Sequence, residues 1–464
     1  MLQPERRTLV MDDIKRRITS RALVAGDKLP SIRGCAARLG VSPSTVVEAY
    51  DLLVAEGLIQ ARRSAGFFVA DKPQPFAVAE TGPLLEREVD PLWVARQSLD
   101  TGEDVPKPGC GWLPADWMPV ASLRKAMRTM ASADVDILTN YGSAKGEAGL
   151  RRHLSRGLHD QGLAAEPDQV LLTGSGSQAL DLICRMLLRP GDTVLVDDPC
   201  YFNFQALLRA HQVTIIGVPY TPNGPELAQF EAALNQHNPR LYLTNSALHN
   251  PTGATISAPV AHRLLSLAAA HDLVIVEDDI FVEFEPDVSP RLATLDGLDR
   301  VLRIGSFSKT LSASFRCGYI AARPDWIEAL TDLQVATNFS GPSPMVAGLL
   351  HTVLTDGSYR KHMEALKSRL TTFRSEASSQ LGKLGISPWV TPRGGFHLWC
   401  ELPGGQDAAE VARSALQDDL VLAPGNVFSV TQRMGSFMRF NVSQMRDPTC
   451  YAILKRLLER PSGK

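Results

Sequence analysis

From about residue 170 the apolar positions of this chain fall into short unbroken runs, QVLLTG, TVLVDDP, VTIIGVP, LYLTNS, LVIVEDD, VLRIGSFSK and CGYIAA, separated by stretches with helical spacing. A strand that is apolar on both faces is covered on both, so the alternation predicts an α/β fold in which helices flank a mostly parallel sheet. Such sheets hold their ligands at the carboxyl ends of the strands, so the residues there carry most of the functional information.

The first 70 residues are patterned differently. Met11, Ile14 and Ile18 form one stripe of an amphipathic helix over 11–21. Ser31 is placed to cap a second helix, SIRGCAARLG, which Gly40 ends, and Ser42 with Pro43 opens a third, PSTVVEAYDLLVAEG. Two helices joined by so tight a turn make a helix-turn-helix, and LIQARRSAGFFV behind it reads as a wing of two short strands around Arg62, Arg63 and Gly66. The small hydroxyl residues Ser42, Ser44 and Thr45 at the start of the third helix let the backbone approach base edges and phosphates. Arg33, Arg62 and Arg63 are placed to bind phosphate backbone or a minor groove.

Residues 71–91 hold four prolines and no sustained periodicity before about Leu84, which is linker composition. The expected organisation is a DNA-binding head over 1–72, a linker over 73–104 and a body over 105–464. At 464 residues, 44% hydrophobic and 21% charged, the chain can bury large cores, and disordered, collagen-like and small disulfide-bonded classes are excluded. The net charge of -2 hides an asymmetry: twelve Lys+Arg against eight Asp+Glu up to residue 72 leave 36 against 42 for the rest. A basic head on an acidic body suits a polyanion, double-stranded DNA, as partner of the head alone. The seven scattered cysteines, never spaced CxxC, read as reduced packing residues rather than metal ligands. With no apolar run long enough for a signal peptide or a membrane helix, a cytoplasmic location is expected.

The strand ends carry the chemistry. The first run leads to TGSGSQAL, a glycine-serine turn opening a helix, which is a phosphate cradle. Gly174, Gly176 and Ala179 satisfy GxGxxA with Asp197 some 20 residues on, a local match to a dinucleotide site. Later strand ends argue against a nicotinamide: they bring HNPTG with Asn250, EDD with Asp278, SFSK with Lys309, and Arg316 to the same sheet edge. A pyridine aldehyde phosphate needs that whole set: an amine for the aldehyde, a carboxylate for the ring nitrogen, a donor for the phenolic oxygen, and cationic and N–H partners for the phosphate.

Two resemblances follow from these residues. AGDKLPSIRGCAARLGVSPSTVVEAYDLLVAEGLI resembles the GntR family of winged-helix regulators, although Pro43 and Val47 stand where that family often has basic residues. YGSAKGEAGLRRHL, TGSGSQAL, DDPCYFNF, HNPTG, EDDIF, SFSKTLSASFRCGY, TPRGGFHLW, APGNVF and MRFNVS, in that order, resemble the fold-type I aminotransferases that use pyridoxal 5'-phosphate. That likeness implies a mostly parallel seven-stranded sheet and a smaller C-terminal α+β subdomain from about 345 to 464. It implies Lys309 as the catalytic amine that holds the cofactor, Asp278 at the pyridine nitrogen, Asn250 at the phenolate oxygen and Tyr201 stacked on the ring. Ser177, Gln178, Ser306, Ser308 and Arg316 would hold the phosphate, Tyr141 would reach the phosphate of a partner subunit, and Arg439 would capture a substrate or effector carboxylate. The tyrosine that this family commonly has just after the Asp278 position is replaced by the candidates Ile280 and Phe281.

The fusion of head and body resembles the MocR-type regulators of the GntR family. It implies a homodimeric, pyridoxal-phosphate-dependent regulator that senses an amino compound or the cofactor itself. Two other readings compete: a working aminotransferase with a 2-oxo acid acceptor, and a dimerisation block that binds nothing. Arg393, Trp112 and Trp117 are further candidates for shaping the effector pocket.

Overall fold

The computed structural model describes residues 3–19, 23, 26–62, 65–70, 89–102 and 104–459. The chain divides into two compact units, Met1–Ala77 and Val78–Lys464.

In the first unit three helices, α1 (Gln3–Thr19), α2 (Ile32–Leu39) and α3 (Pro43–Ala55), precede the antiparallel strands β1 (Ile59–Arg62) and β2 (Gly66–Val69). The capping logic holds in detail. Ser31 accepts from Gly34 N, Gly40 adopts the left-handed conformation that ends α2, and Ser42 accepts from Thr45 N above Pro43. Helix α1 starts eight residues earlier than its stripe suggests, and Val10 joins Ile14 in the core with Cys35, Val46, Tyr50, Leu53, Ile59 and Val69. Asp13 pairs with Arg38 at 2.5 Å, tying α1 to α2, and this hydrogen bond holds the Asp13 carboxyl below its usual range.

The second unit is built on a sheet of β3 (Val170–Thr173), β4 (Thr193–Asp198), β5 (Thr214–Thr221), β6 (Gly224–Pro225), β7 (Leu241–Thr244), β8 (Val274–Asp278), β9 (Val301–Ser306) and β10 (Gly318–Ala321). Their order is β3-β10-β9-β8-β7-β4-β5-β6. The seven runs read from the sequence are all strands, and the two-residue β6 adds an eighth by folding back on β5. Pairing is parallel from β5 through β4, β7 and β8 to β9, while β10 runs antiparallel between β9 and β3. Apolar side chains cover both faces. Leu150, Leu154 and Leu158 of the helix Ala148–Asp160 lie in one core, and Leu180, Ile183 and Cys184 of the helix Gly176–Leu187 in the other.

A second sheet, β11 (Ser387–Pro388), β12 (His397–Glu401), β13 (Ala423–Pro424) and β14 (Phe437–Asn441), is antiparallel in the order β11-β12-β14-β13. The long helix Ser358–Lys383 and the helices Ala408–Gln417 and Pro448–Leu458 pack on it through Leu366, Leu370, Ala412 and Leu454, the expected α+β arrangement. The linker expected over 73–104 is cut short. Asp90 caps and Pro91 begins a helix, Pro91–Asp100, whose Trp93 and Val94 pack with Phe202, Trp399 and Phe428 of the body. All seven cysteines are free and buried.

Candidate functional site

Strand β3 ends in a turn where Ser175 caps the helix Gly176–Leu187, its hydroxyl accepting from Gln178 N at 3.0 Å. The N–H groups at such a helix start face an anion with the helix dipole behind them. Gly318 of β10 lies directly beneath: a Cβ there would come within 2.8 Å of Gly176 N, so a residue without one lets the helix start settle on the sheet. On the same edge β8 delivers Asp278, and β9 delivers Ser306 and the turn with Ser308 and Lys309. Together with Ser177, Tyr201 and Arg316 these residues line one cavity of about 150 Å³.

Burial sets the charge states in this cavity. It pushes the Lys309 amine down to about 8, with Arg439 and Arg316 working in the same direction and Cys110 and Asp278 against it. Burial raises the Asp278 carboxyl to about 7, aided by the neighbouring Asp279 and opposed by its bond from Ile280 N. The backbone of Asp278 is held by Asn245, whose Nδ2 donates to its carbonyl at 2.7 Å. Burial likewise raises the Tyr201 phenol. Ser306 Oγ donates to Ser308 Oγ at 3.0 Å, so the two hydroxyls stand together at the cavity wall.

Arg439 on β14 is fully buried, its guanidinium donating from Nη1 to Asn250 Oδ1 at 2.8 Å and from Nη2 to Gly109 O at 2.6 Å. Its Nε has no hydrogen-bond partner among the described residues. Burial lowers its pKa to about 10, which leaves it charged at neutral pH. The guanidinium carbon lies 4.9 Å from the Phe428 ring centre.

Not every expected residue meets the cavity. Gln178 turns its side-chain oxygen back to Gly174 N at 2.5 Å, and Ser175 stands at the cavity wall in its place. Tyr141 lies 68% exposed against Phe339, at 4.7 Å between ring centres, and does not line this cavity. Asp197 is buried beneath Tyr242, Thr244 and His249, with Thr244 Oγ1 at 2.7 Å and His249 Nε2 at 3.2 Å, which leaves no oxygen for a ribose. Arg393 donates to Ser289 Oγ at 2.8 Å, and Trp117 packs beneath Arg369 and against Phe373. Of those shaping candidates Trp112 reaches a cavity, an adjoining one of about 220 Å³ that Phe281, Asn250 and Gly111 also line. Sequence reasoning missed Ser175, Asn203, Gly111 and the helix Pro91–Asp100. The Asp-Pro start of that helix was the available signal, since it reads as an N-cap followed by a first-turn proline.

In the head, Ser42 and Ser44 are exposed at the start of α3 with their hydroxyls 2.8 Å apart. Thr45 corrects the sequence reading: it is 4% exposed, and its Oγ1 lies 2.8 Å from Ser42 Oγ inside the cap. Arg33 is exposed, and Arg62 lies 4.4 Å from the Phe68 ring centre on the wing, where Gly66 takes a φ of +102° opposite Arg62. Arg63 lies outside the described residues.

Comparison with known proteins agrees with both halves. Residues 114–457 match the model for aminotransferase class I and II, and residues 7–69 match the bacterial regulatory proteins of the gntR family. The chain is 29% identical over 442 residues to the HTH-type transcriptional regulator YdcR of Escherichia coli, covering 93% of this chain and 94% of that one. It is 26% identical over 385 residues to NorG, an HTH-type transcriptional regulator of Staphylococcus aureus, covering 80% and 86%. Among solved structures, the alpha-aminoadipate aminotransferase LysN of Thermus thermophilus has a TM-score of 0.72 at 24% identity, covering 79% of this chain and 94% of that one. A multiple substrate aminotransferase of Thermococcus profundus has a TM-score of 0.71 at 25% identity, covering 79% and 93%. With most of its length in the first match and its head in the second, the chain belongs to the aminotransferase class I and II family in the MocR-type arrangement, joined to a gntR-family helix-turn-helix.

Proposed function

We propose that this protein is a DNA-binding transcriptional regulator whose aminotransferase-like body binds pyridoxal 5'-phosphate and senses an amino compound or the cofactor itself. One observation carries the reading: a capped helix-turn-helix with a wing and a cavity lined by Lys309, Asp278, Arg316 and paired serines stand in one chain. Relatives matched over 93% and 94% of this chain are named HTH-type transcriptional regulators.

The cavity residues fit the cofactor. A carboxylate, an amine, paired serine hydroxyls, a helix start and an arginine surround one space, and no carboxylate pairs with Arg316 among the described residues. Lys309 would hold the cofactor's aldehyde carbon, Asp278 its ring nitrogen, Asn250 its phenolic oxygen and Tyr201 a ring face. Ser177, Ser306, Ser308, Arg316 and the Gly176 N–H would hold the phosphate. When bound, the cofactor supplies an aldehyde that joins amines reversibly and a ring that withdraws electrons from them. The residues would do the rest: Lys309 Nζ, with its lowered pKa, is neutral in a useful fraction near neutral pH, Asp278 would keep a proton on the ring nitrogen, and Arg439 would fix a carboxylate.

A ligand that favours one arrangement of the body shifts the population that presents the heads to DNA. A homodimer accords with this reading. Val135, Leu138, Tyr141, Phe339 and Met345 are all exposed on the body, an apolar set that a second subunit would cover while receiving Tyr141 at its phosphate site. The cytoplasm, where DNA is met, is the compartment implied. Retention of Lys309, Asp278 and Arg439 favours a residual transamination with a 2-oxo acid as the second reading.

The test uses the full chain. Borohydride reduction after addition of pyridoxal phosphate should label the peptide holding Lys309, and DNA from upstream of the gene should bind with an affinity that changes on cofactor loading. Removal of residues 1–72 should abolish DNA binding and leave the label. An unlabelled Lys309, or DNA binding indifferent to cofactor and amines, rejects the proposal. Steady turnover with a 2-oxo acid that disappears in Lys309→Ala, without any DNA response, transfers the case to the enzyme reading.

A further inference from the structure

The cavity of about 220 Å³ adjoins the cofactor-type cavity and shares Tyr201, Asn203, Ile280 and Lys309 with it. Arg439 and Lys309 approach it from the same side: a carbon in the Cβ position of Gly111 would lie 3.8 Å from Arg439 Nη2 and 3.9 Å from Lys309 Nζ. Lys309 therefore stands in the cavity wall, with the buried Arg439 guanidinium next to it at Gly111. Ala95, Ser98 and Leu99 of the helix Pro91–Asp100 line the same cavity, with Trp112 and Phe281. Apart from Lys309, none of the lining residues is charged. A charged group set against the buried Ser98 and Phe281 would shed its hydration without gaining a partner, whereas an apolar or hydroxyl-bearing group would not. The space exceeds the roughly 150 Å³ that accommodates a benzene molecule, so a side chain up to ring size has room.

The same wall is placed to report occupancy. Helix Pro91–Asp100 is the first helix after residues 71–88, which lead back to the head. Asp90 caps it, Oδ1 accepting from Trp93 N at 2.6 Å, and Lys107 Nζ holds its far end by donating to the carbonyls of Ser98 at 3.2 Å and Thr101 at 2.8 Å. Phe202 lines the space, packs in one cluster with Trp93, and lies 5.8 Å from the Arg439 guanidinium carbon. A ligand pressing on Ala95, Ser98 and Leu99 acts on a stapled helix, and a stapled helix moves as a unit.

We infer that this cavity takes an amino acid with an uncharged side chain, and that helix Pro91–Asp100 reads the side chain and passes its displacement into the connector toward the head. The inference rests on the regulator reading and adds to it the effector's class and the element that senses it.

The test is made on the full-length chain loaded with pyridoxal phosphate, with L-leucine, L-phenylalanine, L-glutamate and L-lysine as probes. Visible absorbance of the bound cofactor reports occupancy, and anisotropy of labelled DNA from upstream of the gene reports response. Leucine and phenylalanine should change both signals at concentrations where glutamate and lysine change neither. Leu99 lines the cavity and is 71% exposed, so replacing it removes no core packing. Leu99→Glu should weaken leucine about tenfold through the introduced charge and admit lysine, while Leu99→Gln should keep the original ranking. Lys107→Ala, which frees the far end of the helix, should leave occupancy by leucine intact and blunt the DNA response. Glutamate or lysine matching leucine on the unaltered chain, an unchanged ranking in Leu99→Glu, or a full DNA response in Lys107→Ala each overturns this inference and leaves the regulator reading standing. A chain that neither takes up the cofactor nor binds the DNA removes both.

Discussion

Arg439 donates from Nη1 to the side-chain oxygen of Asn250 over 2.8 Å. Because that oxygen is committed as an acceptor, the amide NH2 of Asn250 is the group left to donate into the adjoining cavity. The residue expected to bind a carboxylate thus also orients the residue expected to meet the cofactor's phenolic oxygen, and the two roles are coupled. Arg439→Lys removes the fork while keeping the charge. An amino acid carrying a carboxylate should then bind roughly 10- to 150-fold more weakly, the equivalent of a charged hydrogen bond worth about 1.5–3 kcal/mol. Titrating the absorbance of the bound cofactor measures this, and an unaltered affinity rules out carboxylate capture at 439.

Two groups of the cavity contribute in opposite senses to the pH behaviour of the cofactor-free chain. Asp278, raised to about 7 from 3.8, keeps a proton in the folded chain that the unfolded chain has lost, so its contribution to stability is present at low pH and disappears as pH rises from about 4 to about 7. Lys309, lowered to about 8 from 10.5, has the opposite effect: stability rises with pH between about 8 and 10.5, where the unfolded chain still holds the proton. The melting temperature of Asp278→Asn, compared with that of the unaltered chain across pH 4–7, should lack the Asp278 part of the slope. The rate at which pyridoxal phosphate is taken up should climb with pH and level off above about 8, because a neutral amine is required. A rate that is flat from about pH 6 to 9 contradicts the assignment of Lys309.

Phe281 is buried against Phe284, Phe396 and His397 and also lines the cavity that holds Asn250 and Lys309. Phe281→Tyr therefore adds a hydroxyl where the aminotransferases commonly have one. A second donor to the phenolic oxygen stabilises its deprotonated form, so the midpoint of the bound chromophore's pH titration should fall by about one unit, or roughly 1.4 kcal/mol. Superimposable titrations of the two proteins would show that the side chain at 281 does not reach the cofactor.

Much of this was legible in the sequence because the relevant signals are local. Continuous apolar runs such as VLLT and LYLT became buried strands, and Ser31, Gly40, Ser42 and Pro43 became the caps and stops that their chemistry suggests. What escaped depends on partners distant in the chain. Nothing near 197 reveals that Tyr242, Thr244 and His249 enclose that carboxylate, whereas the return of the Gln178 side chain to Gly174 N, four residues back, is a local bond that the glycine-serine pattern does not specify. Gly111 matters only because the small sheet carries Arg439 to it from far along the chain. The helix Pro91–Asp100 was hidden by the proline-bearing stretch in front of it, although its cap was readable.

Asp279, next in sequence to Asp278, serves the scaffold instead. It bridges Arg291 Nε at 2.8 Å and Arg303 Nη2 at 2.6 Å, all three side chains fully buried, and Arg291 continues to Glu285 at 2.5 Å. Removing one carboxylate leaves two buried guanidiniums short of a counter-charge, so Asp279→Ala should cost about 3–5 kcal/mol in chemical denaturation. A loss below about 1 kcal/mol, the range of a surface pair, would show that water reaches this network.

Holding the head together and holding DNA are expected of different residues. Thr45 is buried with its hydroxyl in the cap of α3, whereas Ser44 and Arg62 are exposed, at the start of that helix and on the wing. Thr45→Ala should lower the head's stability by about 1 kcal/mol, as the loss of a capping partner does, without changing how DNA affinity varies with salt. Arg62→Ala should do the reverse: melting stays put, binding weakens across all sequences, and the slope of log affinity against log salt drops by about one, because one phosphate contact releases one counterion's worth of entropy. The two measurements cross, which makes the assignment of each residue separable. An Arg62→Ala head that melts lower and keeps its salt slope would mean that the stacking of Arg62 over Phe68, 4.4 Å away, is its whole role.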